Sequence, residues 1–242
     1  MIIGIGTGRC GTMSIAELLG LPHEPKPGLI KESIQYHYEP IKYPPQEILL
    51  RRALGNKGAV NHRYGLLIEP LHRLYPDAKW VFIIRSGPET VSSFNRRRWY
   101  SPDSLLGHEE WRLRGDKIGE FSSPAWGVMT PFEKCCWHWA YFNNWMYAEL
   151  ERLNVTYTMV YIETVNSDDL HQWAWDKPAP RFLTHRNGAA WRAPRDLETW
   201  TKDQWHTFNR FAGDIQRKFY ADTPHAAQEI PMYNEIVLAP RR

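Results

Sequence analysis

The sequence predicts an α/β protein with a mainly parallel central sheet flanked by helices. Three observations carry that expectation. The apolar run IIGIG (2–6) ends in a glycine-rich loop. A second apolar run, AKWVFIIR (78–85), leads straight into a helix-start pattern. Strand-like and helix-like stretches then alternate along the chain, the order that strand–helix–strand units produce.

Taken in order, residues 2–6 read as a short buried strand. A helix starts near Ser14 and ends at about Leu19, before Gly20 and Pro22. Residues 22–46 hold six prolines among several aromatics and are expected to be mostly irregular. A second strand is expected near 59–61 and a helix over 66–74, followed by the strand 78–85. SGPE (86–89) has the form of a capping box, with Pro88 in the first turn, so a helix is expected over 87–98. Residues 101–129 read as a polar surface excursion. TPFE (130–133) is a second capping box, and it opens a long helix to about 153. Phe132, Cys135, Cys136, Trp139, Phe142, Met146 and Leu150 lie on one stripe of that helix. VTYTMVYI (155–162) reads as a strand. A last helix over 202–220 turns Trp205, Phe208, Ala212, Ile215 and Phe219 inward.

The bulk numbers fit one domain over 1–242, with 43% hydrophobic residues to build its core. A net charge of +3 demands neither nucleic acid nor membrane, and no nucleic-acid partner is expected. No stretch is long and apolar enough for a membrane span, and no signal peptide precedes the glycine loop. The three cysteines form no disulfide-like or C-x-x-C pattern, which points to a reducing, cytoplasmic setting. Cys135 and Cys136 fall on the apolar stripe and read as core. Cys10, between Arg9 and a helix start, is expected to have a lowered pKa and to be open to oxidation or modification.

A strand, a glycine loop and a helix start together make an anion site, because backbone N–H groups and the helix dipole converge there. Three kinds of loop compete for TGRCGTMS (7–14). A nucleotide-hydrolysing or kinase loop needs Lys and then Ser/Thr after Gly11, but the chain has Thr12 and Met13. A dinucleotide fold matches Gly6, Gly8 and Gly11, with Glu24 or Glu32 for the ribose, but leaves Arg9, Thr12 and Ser14 without a role. The third owner needs a cation inside the loop and hydroxyls after the last glycine.

That third pattern resembles the 5′-phosphosulfate loop of sulfotransferases that use 3′-phosphoadenosine 5′-phosphosulfate (PAPS). Their Lys/Arg-Ser-Gly-Thr-Thr is matched by Arg9-Cys10-Gly11-Thr12-Met13, with Cys10 and Met13 as departures. RSGPETVSS (85–93) resembles the same family's 3′-phosphate motif, an Arg and a Ser eight residues apart after a strand. Arg97, one helical turn beyond Ser93, extends the match. An arginine fork with a hydroxyl holds a phosphate through charge-assisted bonds. Taken alone, the basic run 95–99 also fits a solvated helix face or a nucleic-acid patch. HRNGAAW (185–191) is similar to a late Arg-Lys-Gly segment, here Arg186, Asn187 and Gly188. Tyr161 in VYIET resembles an adenine-contacting tyrosine, one residue out of register.

The resemblance implies a P-loop NTPase-like three-layer fold and transfer of a sulfonate from PAPS to a hydroxyl or amine, without a metal. Gly8, Arg9, Cys10, Gly11, Thr12, Met13 and Ser14 would hold the 5′-phosphosulfate, and Arg85, Ser93 and Arg97 the 3′-phosphate. Arg9 would stabilise charge on the leaving phosphate oxygen rather than act as an acid. The general base would be Glu24 in LPHEPKP or His62 in VNHRYG. Glu69 and His23 are remoter candidates, and His23 is also placed to orient Glu24. The acceptor is expected to be a small molecule or saccharide, with aromatics of 99–145 available for stacking. A kinase-like phosphotransferase and a non-catalytic binder of nucleotide or anionic glycan are the competing readings.

Overall fold

A computed structural model describes residues 1–23, 27–103, 111–177 and 200–221. Four parallel strands make its sheet: β1 (Ile2–Gly6), β2 (Gly58–Val60), β3 (Lys79–Ile84) and β4 (Tyr157–Tyr161), in the order β2-β1-β3-β4. Ile2 is paired with Gly58 on one side and Lys79 on the other, and Trp80 pairs with Tyr157. All of β1 and β2 is buried, as is β3 beyond Lys79, which is the signature of parallel strands covered on both faces.

Alternation along these strands divides the core in two. Ile2, Val60, Val81, Ile83 and Val160 face one way, against α1 (Thr12–Leu19) and α8 (Ser167–Trp175). Ile3, Ile5, Ala59, Trp80, Phe82 and Ile84 face the other, larger layer. That layer contains α2 (Pro27–Tyr38), α3 (Glu47–Leu54), α4 (Ile68–Leu74), α5 (Gly87–Arg96), α7 (Pro131–Arg152) and α9 (Lys202–Tyr220). A 3-10 turn (His62–Leu66) leads into α4, and a short α6 (Ser123–Val128) precedes α7. The architecture is the expected helix–sheet–helix sandwich of P-loop-like type.

Two of its helix starts follow directly from sequence. Thr130 accepts from the Glu133 N–H while Glu133 accepts from the Thr130 N–H, so α7 has its capping box, with Pro131 in the first turn. Thr201 and Gln204 form the same device at α9. Cys135 and Cys136 are fully buried core, as the apolar stripe requires.

Elsewhere the sequence reading is corrected. Residues 22–46 are not mostly irregular, because α2 runs through them; Pro27 sits at its start, where a missing N–H costs nothing. α3 and α8 have no counterpart in the sequence reading, and the expected surface excursion at 101–129 contains α6 and sends Leu113 and Trp126 into the core. The capping box at 86–89 does not form: Ser86 makes no side-chain cap bond, and Glu89 instead pairs with Arg85 at 3.0 Å. A buried charge-assisted bond outcompetes a neutral cap.

Candidate functional site

In a sheet of this order the chain leaves β1 for one neighbour and later arrives at the other. Loops after β1 and β3 therefore part to opposite sides and leave a crevice at their carboxyl ends. The glycine loop and Arg85 meet at that crevice.

The loop turns sharply. Gly8 and Gly11 have φ of 82° and 92°, and Arg9, a non-glycine, has φ of 55°. Holding a side-chain-bearing residue there costs on the order of 1 kcal/mol, and such strain gathers at functional sites. Glycine at position 11 is required twice over: besides its φ, a Cβ would lie 2.6 Å from Ile162 Cδ1. α1 begins at Thr12 with Gly11 as its cap, no side-chain cap bond and no acidic residue in its first turn. Its first N–H groups are thus left for an anion. Cys10 contributes backbone only. It is fully buried, its sulfur lies beneath Gly6, and burial pushes the thiol pKa up. The expected low-pKa, modifiable Cys10 is therefore corrected, because desolvation outweighs the hydrogen bonds from Gly8 and Thr7 that favour the thiolate.

Arg9 reaches across the crevice, and its Nε donates to Ser93 Oγ on α5 at 3.2 Å. Arg85, at the end of β3, donates from Nη1 to the Arg9 carbonyl at 3.1 Å and from Nε to Glu89. The two motifs, more than 70 residues apart in sequence, are joined by these bonds. Arg97 lines the same cleft, together with Arg96 and Arg98. Burial lowers the Arg9 pKa, and the fields of Arg97, Arg85 and Arg96 lower it further.

The cleft has a volume of about 720 Å³, within the range of nucleotide-sized sites. Gly8, Trp99 and His62 meet at one wall: a Cβ on Gly8 would lie 3.4 Å from Trp99 Cη2 and 3.5 Å from His62 Cγ. Trp99 itself is stacked on Phe94 (centroids 3.9 Å apart) and covered by the Arg112 guanidinium at 3.7 Å. Arg112 carried no signal in the sequence. It arrives from a segment with no motif, and its pKa is pushed down to about 10 by burial, leaving it cationic at neutral pH.

The base candidates separate. His62 is half-buried, its Nε2 is enclosed without a hydrogen-bond partner, and burial plus Arg63 and Arg112 hold its pKa well below the usual imidazole value. His23 lines the cleft, with its Nε2 hydrogen-bonded to Thr12 Oγ1 at 3.0 Å. Asn61 fixes it by donating to the His23 carbonyl. Glu69 is remote from the loop, ion-paired with Arg152. Glu24, Arg186, Asn187 and Gly188 lie outside the described residues.

Tyr161 is not brought to the cleft. Its hydroxyl donates to the Phe219 carbonyl at 2.7 Å and its ring meets Tyr220 edge-on, in the larger helical layer. The residue one position on, Ile162, is the one that abuts Gly11.

No family model matches this chain, and no curated protein is significantly similar to it. The site is therefore read from its own geometry. Met13 and Ser14 line the cleft beside Thr12 at the start of α1. No carboxylate is among the described residues that line it. Among the described residues no group of His, Cys, Asp and Glu is gathered to hold a metal, and no helix is long and apolar enough to cross a membrane.

Proposed function

We propose that the protein is a sulfotransferase that moves a sulfonate from PAPS to an acceptor hydroxyl or amine. One observation carries the reading. An arginine inside a glycine loop is hydrogen-bonded to a serine of the following β3–α5 unit, so the two segments that resemble the family's anion motifs meet at one cleft. A donor with anions at both ends of a nucleoside needs such a pair. A kinase-type loop would need a lysine where Thr12 stands.

In this reading the N–H groups at the start of α1 hold the 5′-phosphosulfate, and Arg85, Ser93 and Arg97 hold the 3′-phosphate. The acceptor oxygen or nitrogen attacks sulfur in line. Its bond to sulfur forms as the bond from sulfur to the phosphate oxygen breaks. Negative charge on the leaving oxygen is met by Arg9 and the loop N–H groups, which are fixed before reaction and need no reorganisation. The acceptor proton passes to an imidazole. His23 is the group in position to take it, since it lines the cleft beside Thr12. His62, enclosed and held neutral, serves the wall of the site.

The test is a thermal-shift series without magnesium, using adenosine 3′,5′-bisphosphate, ATP and NADP on wild type and Arg85→Ala. Bisphosphate at about 100 times its Kd should add roughly 2.7 kcal/mol of stability to wild type, and Arg85→Ala should lose that gain. No response to the bisphosphate, with a response to NADP or to ATP once magnesium is added, overturns the proposal.

A further inference from the structure

The peptide group that follows Arg85 is held at both ends. Its carbonyl accepts from the Trp139 indole N–H on α7 at 3.2 Å. Its N–H, that of Ser86, donates to Glu163 Oε1 at 2.6 Å. The next N–H, that of Gly87, donates to Gln216 Oε1 on α9 at 2.8 Å. A peptide group is planar, so fixing its two ends fixes the rotation between the Arg85 Cα and its carbonyl. Pairing of β3 with β1 and β4 fixes the backbone that precedes it. The Arg85 side chain is therefore launched in one direction, towards the Arg9 carbonyl and Glu89.

Sheet register brings Glu163 to this turn. The Ile162 N–H carries the β3–β4 ladder one step beyond β4 by donating to the Ile84 carbonyl at 3.0 Å. Ile162 packs against Gly11 of the glycine loop, and the residue after it turns to the other side of the sheet. There the Tyr220 hydroxyl, in the last turn of α9, shares its proton between the two carboxylate oxygens of Glu163, at 3.3 and 3.2 Å. One residue of this strand end thus packs on the glycine loop, and the next seats the turn that carries Arg85.

The same bonds set two helix starts apart. α1 has no side-chain cap bond and no acidic residue in its first turn. At α5 the N–H groups of Ser86 and Gly87 are taken by Glu163 and Gln216, and Pro88 has no N–H to offer. The Glu163 carboxylate also satisfies the positive end of this helix dipole. An anion beside α5 depends instead on side chains, and so on where Arg85 points.

We infer that Glu163 is a positioning residue for the 3′-phosphate site: it holds the Ser86 N–H and through it aims the Arg85 guanidinium at the phosphate. The inference rests on the sulfotransferase reading, and the experiment separates the two. The charge of Glu163 alone would act in the opposite direction. A carboxylate beside an anion site repels the ligand, so its removal would tighten binding. Positioning requires that its removal weaken binding.

Calorimetry without magnesium compares adenosine 3′,5′-bisphosphate with adenosine 5′-monophosphate, which lacks the 3′-phosphate. The proteins are wild type, Glu163→Ala, Glu163→Gln and Tyr220→Phe. Wild type should bind the bisphosphate about ten-fold or more tightly than the monophosphate, the worth of charge-assisted bonds to one phosphate. Glu163→Ala should lose most of that preference, with monophosphate affinity unchanged. Glu163→Gln should keep it, because the amide oxygen still accepts from Ser86 and the amide N–H donates to the Tyr220 oxygen. Tyr220→Phe, which keeps the ring but removes the bond to Glu163, should lose the preference in part, and it carries the test if Glu163→Ala does not fold. A wild type with no preference for the bisphosphate overturns the donor reading and the inference with it. A wild-type preference that Glu163→Ala leaves intact or strengthens overturns the inference alone. So does a loss that falls equally on both nucleotides, a loss that Glu163→Gln shares, or, where Glu163→Ala is unfolded, an undiminished preference in Tyr220→Phe.

Discussion

Arg9 joins the two halves of the site: its backbone is held left-handed, its carbonyl receives Arg85 and its side chain reaches Ser93. Around it, the competition between burial and charge decides which neighbours are reactive. Cys10 loses that competition despite its position, and Cys135 and Cys136 are equally enclosed, with burial raising the pKa of each thiol. Native protein at pH 8 should therefore take up no iodoacetamide within the time that fully labels a denatured sample. Mass spectrometry should show three labels after denaturation, one for each cysteine of the sequence. The two histidines of the cleft should also part company. His23→Gln should slow release of adenosine 3′,5′-bisphosphate from PAPS by about 100-fold or more, the usual contribution of a general base. His62→Gln should slow it by less than about ten-fold, because its Nε2 is enclosed and its proton affinity low.

At the scale of elements, close approach of backbone sets the strongest constraints. β2 lies against β1 at Gly58, whose φ is 107° and where a Cβ would fall 1.7 Å from the Ile2 carbonyl oxygen. Gly58→Ala must push β2 off the sheet edge. Its cost should exceed about 2 kcal/mol in urea unfolding, more than the loss of any ordinary surface contact. α7 offers the milder case. Thr130→Ala removes the side-chain half of its capping box and should cost about 1 kcal/mol, with little change in bisphosphate binding. α5 has no such cap to lose, since Glu89 is committed to Arg85. Substituting Glu89 should therefore weaken the anion site through Arg85 rather than fray the helix alone.

For the molecule as a whole, stability is tied to pH through histidines packed in the larger helical layer. His37 is bonded to the Tyr141 hydroxyl and set edge-on against Trp145, and burial lowers its pKa from 6.5 to about 4. Between those values the unfolded chain binds a proton that the folded chain does not, so stability rises with pH across the window. The stabilisation is full above about 6.5 and is lost as pH falls towards 4. His62 and His138, both held well below the ordinary value by burial, act in the same direction. The unfolding midpoint should thus fall from pH 7 to pH 5. In His37→Gln that slope should be shallower, by about 3 kcal/mol over the full window.

The local devices were legible in the sequence. IIGIG and the WVFII of AKWVFIIR are short apolar runs bounded by turn and charge signals, the form of a strand covered on both faces. TPFE states its cap in four residues, and the spacing of Gly8 and Gly11 states a sharp turn into a helix. These features depend on near neighbours, so short-range chemistry decides them. The prolines around α2 misled, because a breaker inside a helix is harmless at its start. Ser86 and Glu89 misled because a partner one residue upstream, Arg85, took the carboxylate. Which face Tyr161 takes, how His23 and His62 differ within the cleft they both line, and the arrival of Arg112 over Trp99 were settled only by the tertiary fold. Each depends on strand register or on a contact between distant segments. Sequence specifies the parts of such a site, but burial and distance, which decide charge and access, exist only once the sheet and its two layers have closed around it.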